Sequence, residues 1–535
     1  MCGIAGTFGF VDEQALALMQ KAMQHRGPDE RAIWTGDGLC GLSINRLAIM
    51  DIAHGQQPLT NQSQSVHVVC NGEIYNHEAL REDLEQTTVL RTHSDVEVIA
   101  HLYEELGEAC VEYLDGMFAF LLYDSRRQTF LAARDPFGIK PLYYVNDAGR
   151  WYFASEAKAL LAAGVDGSRI RLLEPGCYLS EAGVHRYYDL ESRKRRTTAD
   201  PRLLFDVLDA SVRRHLMADP TIKIGTYLSG GIDSSAITAI AAQYRRDLVA
   251  FTVGMAGSPD VENAAVVCEH LGIEHVVVPF TLDEVWDLIP EAVQEIENYN
   301  QMLVLEGLMQ SVLSHEASRR GVRVMLCGEG ADEIFAGYGV YRSMPRADVP
   351  RALRNSVAQI GNTECLRVDR ATMAHSIEAR VPFLDPMVVE YAINLPVTSM
   401  LRYDGERVVE KWILRKAVEH LLPAQIIWRI KQAFDDASGI LNVLDRVSGE
   451  ITDDDLRVAQ LRHPHAGLQS KIGLYLYRLF RSHFGDMGGS NVFDLFGHYP
   501  TLQSALDHRS PRTWGTGEDA ADLARLHQGI TQAIA

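Results

Sequence analysis

A cysteine stands second in the chain, in Met1-Cys2-Gly3-Ile4-Ala5-Gly6. Removal of Met1 would give Cys2 both a thiol and a free α-amino group, a nucleophile with its own base. An amine titrating at about 8 and a thiol at about 8.5 both exchange protons near neutrality. A second-position cysteine is also a common accident, so its chemistry depends on what the rest of the chain brings to it. Attack on an amide needs donors for a tetrahedral oxyanion. Asn71-Gly72-Glu73-Ile74-Tyr75-Asn76 offers a side-chain amide and backbone N–H groups just after a predicted strand, although Asn-Gly-Glu alone is also a good turn.

A second set of residues suits a phosphate. Tyr227-Leu228-Ser229-Gly230-Gly231-Ile232-Asp233-Ser234-Ser235 lies between a predicted strand and a helix over 236–243. Small residues let backbone N–H groups converge there, and the helix N-terminus adds its positive end. No lysine follows, so this is not the loop that grips a γ-phosphate. Cys327-Gly328-Glu329-Gly330-Ala331-Asp332-Glu333 follows another predicted strand. Its three carboxylates are either a solvated helix start or a site where Mg²⁺ bridges to a polyphosphate they would otherwise repel.

These residues need elements to position them. Valine-rich 66–70 and wholly apolar 118–123 read as buried strands, with helical patterns over 14–24, 77–85 and 95–106. From Pro201 the texture changes to helices alternating with short apolar strands at 222–228, 248–253 and 323–327. That alternation predicts a parallel α/β sheet whose ligands sit beyond the strand C-termini. The expected organisation is a first domain over 1–190, a polar and basic linker over 191–201, and a second domain over 202–535.

Composition excludes several functions. Seventy-one acidic against fifty-one basic side chains give a net charge of −20, which repels nucleic acid and anionic membranes. The eight cysteines are scattered without a CxxC pair, suiting neither a zinc site nor a disulfide framework. No apolar run approaches the roughly eighteen residues of a membrane span, so a soluble, cytoplasmic protein is expected.

Cys2 to Ile4, His25 to Asp29, Arg46 to Asp51, Asn71 to Asn76, Ser94-Asp95 and Arg134 to Leu142 occur in one order. Together they resemble the class II glutamine amidotransferase domain, an N-terminal-nucleophile hydrolase with an αββα sandwich. The resemblance implies that Cys2 attacks the glutamine amide, forming a γ-glutamyl thioester and releasing ammonia. Asn71 and Gly72 would form the oxyanion hole. Arg46 would hold the glutamine α-carboxylate and Asp95 its α-ammonium, with Glu73 and the Leu47-Ala48-Ile49-Met50 backbone completing the pocket.

Ser229 to Ser235 looks like the SGGxDSS loop of ATP pyrophosphatases, and Arg380 to Asp385 and Arg429-Ile430-Lys431-Gln432 follow in the order seen in asparagine synthetases. This resemblance implies that ATP and Mg²⁺ are used to make an acyl-adenylate, which ammonia converts to an amide. Leu228, Val253, Cys327 and Gly328 would contact the adenosine portion, and Ser229, Gly230, Gly231 and Ser234 the phosphates. Asp233 and Asp332 would engage Mg²⁺–pyrophosphate. Glu329 would support adenylation and ammonia addition, while Lys431 would neutralise phosphate charge. Glutamine, ATP and a carboxylic acid are the implied partners, and a homodimer is common in the family.

The chain departs from that family where a Thr-Thr-x-Arg stretch suits aspartate. Met302, Leu303, Val304 and Leu305 stand there instead. Met302, Leu303 and Leu305 line an acceptor pocket less polar than aspartate requires, or this stretch belongs to one core face with Leu308, Met309 and Val312. The leading expectation is an amidotransferase acting on a less polar acid, in a setting such as antibiotic biosynthesis. Plain asparagine synthesis and a glutaminase-only or non-enzymatic relative are the alternatives.

Overall fold

The computed structural model describes residues 2–430 and 446–485, except 196 and 255–257, together with 487 and 495–497. In the first half, β1 (Gly3–Phe8), β2 (Glu30–Gly36), β3 (Cys40–Arg46), β4 (Leu59–Thr60), β5 (Val66–Ile74), β6 (Gly116–Asp124), β7 (Thr129–Arg134), β8 (Tyr143–Asp147), β9 (Arg150–Ala154), β10 (Arg171–Leu172), β11 (Cys177–Ser180) and β12 (Gly183–Arg186) build two antiparallel sheets. Their orders are β10-β8-β9-β1-β3-β2 and β12-β11-β7-β6-β5-β4. Every residue of β6 is buried, because one face meets the other sheet and the opposite face meets helices. A strand covered on both faces reads as a continuous apolar run, whereas the edge strand β2 alternates.

Helices complete an αββα sandwich. α1 (Glu13–Ala22) and α4 (Ala157–Ala162) pack on the first sheet, and α2 (His77–Leu84) and α3 (Glu97–Leu106) lie on the second sheet's side. Asp12 caps α1 by accepting the Ala15 N–H at 2.9 Å. Between the sheets lies an apolar layer that includes Ile4, Phe8, Leu42, Val69, Leu121 and Phe153.

The second half is a parallel α/β body. Its elements are α5 (Pro201–His215), β13 (Lys223–Tyr227), α6 (Ile232–Tyr244), β14 (Val249–Val253), α7 (Pro259–Leu271), β15 (Glu274–Val278), α8 (Leu282–Ile296), α9 (Gln301–Arg319), β16 (Val322–Leu326), α10 (Ala331–Ile334), α11 (Val340–Ser343), α12 (Val349–Gln359), α13 (Glu364–Met373) and β17 (Glu378–Arg380), followed by further helices. The five strands run parallel in the order β15-β14-β13-β16-β17. Ile224, Ala250 and Val324 face one apolar cluster with α5 and α6, while Phe251, Val276 and Met325 face another with α8 and α9. Strand order reverses between β13 and β16, and a crevice opens beyond such a switch point. Among the described residues, no helix is long and apolar enough to cross a membrane.

The two bodies are joined through buried polar contacts. Arg134 Nη2 donates to the Gly361 carbonyl at 2.7 Å, and Lys140 Nζ to the Ala379 carbonyl at 3.2 Å. Near this seam, Ser311 Oγ lies 2.6 Å from both Glu295 Oε2 and His375 Nε2. Burial, opposed by the Ser311 hydrogen bond and Lys158, raises the Glu295 carboxyl from 4.5 to about 7. Its folded form therefore holds a proton that the unfolded chain has lost between those values, and the associated stability disappears as pH rises through 7. We predict that Glu295→Gln raises the thermal midpoint by a few degrees at pH 8. Melting curves should show the gap closing by pH 4.5.

Candidate active sites

The thiol of Cys2 lies at the start of β1, the third strand in from an edge of its sheet, where both sheets and the second body converge. Its backbone nitrogen donates to Asn71 Oδ1 at 3.0 Å, so the atom that becomes the α-amine after Met1 removal already has an acceptor. Burial pushes the thiol above its ordinary value, against the pull of the Leu47 backbone N–H and the Arg46 charge. A thiol held protonated in this way needs a base within the site.

Asn71, Gly72 and Glu73 belong to strand β5 and not to a turn. They pair with Ala119, Phe118 and Met117 of β6, and this pairing outweighs the turn preference of Asn-Gly. Gly72 has φ +150°, and a Cβ there would stand 2.0 Å from the Met117 carbonyl oxygen. Only glycine fits. Asn71 Nδ2 is buried without a hydrogen-bond partner. An orphaned buried donor beside the thiol is the kind of group that an oxyanion would satisfy.

Arg46, Asp95 and Glu73 surround this centre. Both Arg46 Nη atoms are engaged, one on Glu30 at 2.9 Å and Ile52 O at 3.3 Å, the other on Met50 O and Asp51 O at 2.9 Å each. It thereby shapes the 50–52 loop, a role its spacing in the sequence did not reveal. Leu47, Ala48 and Ile49 are buried, and Met50 is half-buried beside His77, Arg81 and His93 around a cavity of about 390 Å³. Asp95 Oδ2 accepts the Ile74 N–H at 2.7 Å, and burial raises its carboxyl. Glu73 is raised well above the ordinary range by burial, then by Glu378 and Asp95, with Arg380 opposing. Glu378 and Arg380 come from β17 of the second body, a contribution invisible to local motif reading.

The phosphate-type residues gather at the C-terminal ends of β13, β14 and β16. Leu228 follows β13, Val253 ends β14, and Cys327 and Gly328 follow β16. α6 begins at Ile232, four residues before the helix expected at 236, so Asp233 and Ser234 lie within its first turn. Ser234 Oγ accepts the Ser229 N–H at 3.2 Å, and the Gly231 N–H reaches Ser229 Oγ at 3.3 Å, closing the loop on itself. Gly230 has φ +67°, and its absent Cβ would lie 2.5 Å from Asn263 Cβ.

Lys411 was not singled out by any motif, yet it sits at the centre of this site. Its buried Nζ lies 2.5 Å from Asp233 Oδ2 and 2.7 Å from Asp332 Oδ1. Two carboxylates thus already converge on one cationic point, and Asp233 Oδ1 is a buried oxygen with no partner. That donor set fits Mg²⁺, which takes one or two carboxylates and completes its shell with phosphate oxygens and water. Among the described residues, no group of three or more histidine, cysteine or acidic side chains is arranged as a self-sufficient metal cage. Lys431 lies outside the described residues.

Glu329 faces α13. Arg367 Nη2 lies 3.3 Å from Glu329 Oε1 and donates to Glu364 at 2.7 Å. The same guanidinium reaches Glu306 at 3.3 Å and Gln310 Oε1 at 2.9 Å. Burial raises the Glu329 carboxyl, with Arg367 as the main opposing influence. On α9, Leu305 belongs to the apolar cluster of Phe251, Val253 and Met309, Leu303 is buried, and Met302 is half-buried. Glu306 and Gln310 are the α9 residues that reach this charged network, and their i, i+4 spacing was the available signal.

Known proteins agree with both halves of this architecture. A glutamine amidotransferase domain model matches residues 1–177, and an asparagine synthase model matches 203–356 and 344–471. Asparagine synthetase B [glutamine-hydrolyzing] of Escherichia coli is 36% identical over 510 residues, covering 89% of this chain and 90% of its own. Asparagine synthetase [glutamine-hydrolyzing] 3 of Arabidopsis thaliana is 35% identical over 518 residues, covering 90% and 88%. The Asparagus officinalis enzyme of the same name is 36% identical over 518 residues, covering 90% and 86%. With a thiol site on the first body, a phosphate-type crevice on the second, and this likeness along nearly the whole chain, the protein belongs to the glutamine-hydrolysing asparagine synthetase family of glutamine-dependent ligases.

Proposed function

We propose that this enzyme takes ammonia from glutamine at Cys2 and uses ATP to amidate a carboxylic acid less polar than aspartate. At the first site, the Cys2 amine accepts the thiol proton while sulfur attacks the glutamine amide. Asn71 Nδ2 and the Gly72 N–H hold the resulting oxyanion; its collapse breaks the C–N bond as the amine passes the proton to the departing ammonia, and water then hydrolyses the γ-glutamyl thioester to glutamate. Arg46 and Asp95 orient the amino acid's charged end. At the second site, the acceptor carboxylate displaces pyrophosphate from the α-phosphorus, and ammonia then displaces AMP to give the amide. Asp233 and Asp332 would hold Mg²⁺, which neutralises the phosphates when bound, while Lys411 and Lys431 supply further positive charge. An apolar passage between the sites would keep ammonia unprotonated.

The observation supporting a less polar acceptor is the state of the cation nearest Glu329. Arg367 is already engaged by Glu306, Glu329, Glu364 and Gln310, and Met302, Leu303 and Leu305 add neither a guanidinium nor a hydroxyl. A second acceptor carboxylate left without a partner in a buried site costs about several kcal/mol. Pyrophosphate release should be assayed with ATP, Mg²⁺ and glutamine across aspartate and a series of monocarboxylic and apolar amino acids. At least one of the latter should exceed aspartate in kcat/KM by about tenfold or more. Efficient aspartate turnover with asparagine as product would overturn this reading. That outcome would establish the second reading, asparagine synthesis, which the 35% and 36% identity over nine-tenths of the chain favours. A soluble cytoplasmic enzyme, with the glutaminase over 1–190 and the synthetase over 202–535, is part of the same proposal.

A further inference from the structure

Helix α13 touches both sites. Arg367 faces Glu329 on the nucleotide side. Two residues later, Asp369 points to the first body, where its oxygens accept Arg26 Nη1 and Nη2 at 2.8 and 3.0 Å. Arg26 Nε then donates to the carbonyl oxygen of Cys2 at 3.1 Å. Arg26 and Asp369 are 0% and 1% exposed. Glu156 shares Arg26 Nη1 at 2.8 Å. The next residue, Arg370, donates to the Ser155 carbonyl at 3.0 Å and pairs with Glu297 at 3.0 Å. Glu297 in turn accepts the Ala157 and Lys158 N–H groups at 3.0 and 2.7 Å, capping α4 of the other body. It does so from a left-handed backbone, φ +54°, just before the helix that carries Met302 to Leu305.

A guanidinium is a rigid planar fork, so fixing its two Nη atoms fixes the direction of its Nε–H. Here the carboxylate that grips both Nη atoms belongs to the second body, while Glu156 of the first body shares only Nη1, and the Nε–H so aimed holds the backbone of the first body's nucleophile. We propose that Asp369 is a positioning residue for the glutamine site. Acting through Arg26, it sets where the Cys2 backbone, amine and thiol stand, so the glutaminase centre is complete only with α13 docked against it. This rests on Cys2 being the glutamine nucleophile. An ordinary buried interface pair would stabilise the domain contact without touching the nucleophile's own carbonyl.

The test uses full-length Asp369→Asn and Asp369→Glu proteins, measuring kcat and KM for glutamine beside the rate of ammonia-dependent amide formation. Misplacing a nucleophile by about an ångström can cost about 100-fold. Asp369→Asn should lower kcat for glutamine by about tenfold or more, with KM and the ammonia-dependent rate within about threefold of wild type. Asp369→Glu, which keeps the charge, should recover part of the loss. Unchanged glutamine hydrolysis, or equal loss of both activities, overturns the proposal. If Asp369→Asn does not fold, Asp369→Glu carries the same comparison, and a selective fall in glutamine kcat supports the assignment while no fall or a parallel one defeats it. Cys2→Ala separates the two ideas. Retained glutaminase in that variant would remove the nucleophile reading itself, whereas an inactive Cys2→Ala beside a wild-type-like Asp369→Asn removes only the positioning role.

Discussion

A Cys2→Ala enzyme is expected to lose glutamine hydrolysis by at least about 1,000-fold, because it removes the proposed nucleophile from the residue whose backbone nitrogen the Asn71 side chain holds. The other seven cysteines are buried, and Cys70, which adjoins Asn71 on β5, packs into the cluster on the helical side of the second sheet, apart from the cluster that holds Cys2. Alanine preserves the backbone nitrogen that donates to Asn71 Oδ1, so local structure should survive. Amide formation driven by added ammonium at pH above 8 should stay within about threefold of wild type, since the proposed ATP site lies on the other body. Glutamate release and pyrophosphate release, measured on the same preparation, separate these activities. Loss of both would show that the sites do not divide the chemistry as proposed.

The second large effect belongs to Asp233. Replacing it with asparagine removes the charge of one of the two carboxylates converging on Lys411 Nζ and turns one of its two oxygens, of which Oδ1 is unpartnered, into an NH₂ that cannot ligate a metal. The remaining carboxylate, Asp332, would have to hold the metal alone. Acid-dependent pyrophosphate release should fall by about 100-fold or more, and the Mg²⁺ concentration for half-maximal rate should rise. Glutamine hydrolysis measured without ATP should be nearly unchanged. A variant with wild-type pyrophosphate release would remove Asp233 from the phosphate site and leave its contact with Lys411 as a structural ion pair.

The elements that position both sites were largely legible along the chain. Helices expected over 77–85 and 95–106 are His77–Leu84 and Glu97–Leu106, and the strand expected over 248–253 is Val249–Val253. These signals are local, because each element buries one stripe of its own sequence. The strand expected over 66–70 runs on through Asn71 to Glu73, which the sequence placed just after it, since that extension comes from hydrogen bonds to β6, more than forty residues away. The stretch at 302–305 was expected to line an acceptor pocket or to belong to a core face. In the structure Leu305 packs in an apolar cluster, and Glu306, Gln310 and Arg367 form the charged network near Glu329.

Cys2, Asn71-Gly72 and the Ser229 to Ser235 loop could be named from the chain alone, because backbone-forming motifs are contiguous and carry their chemistry in their spacing. Such reading could also show that the hydroxyl-and-guanidinium stretch common at 302–305 is missing. Only the tertiary structure decided which distant charges meet. Lys411 between Asp233 and Asp332, Glu378 and Arg380 beside Glu73, and Asp369 gripping Arg26 all join residues far apart in sequence. The reason is physical. A buried charge must find an opposite partner or hydrogen bonds wherever the fold places them, and no local periodicity encodes that choice.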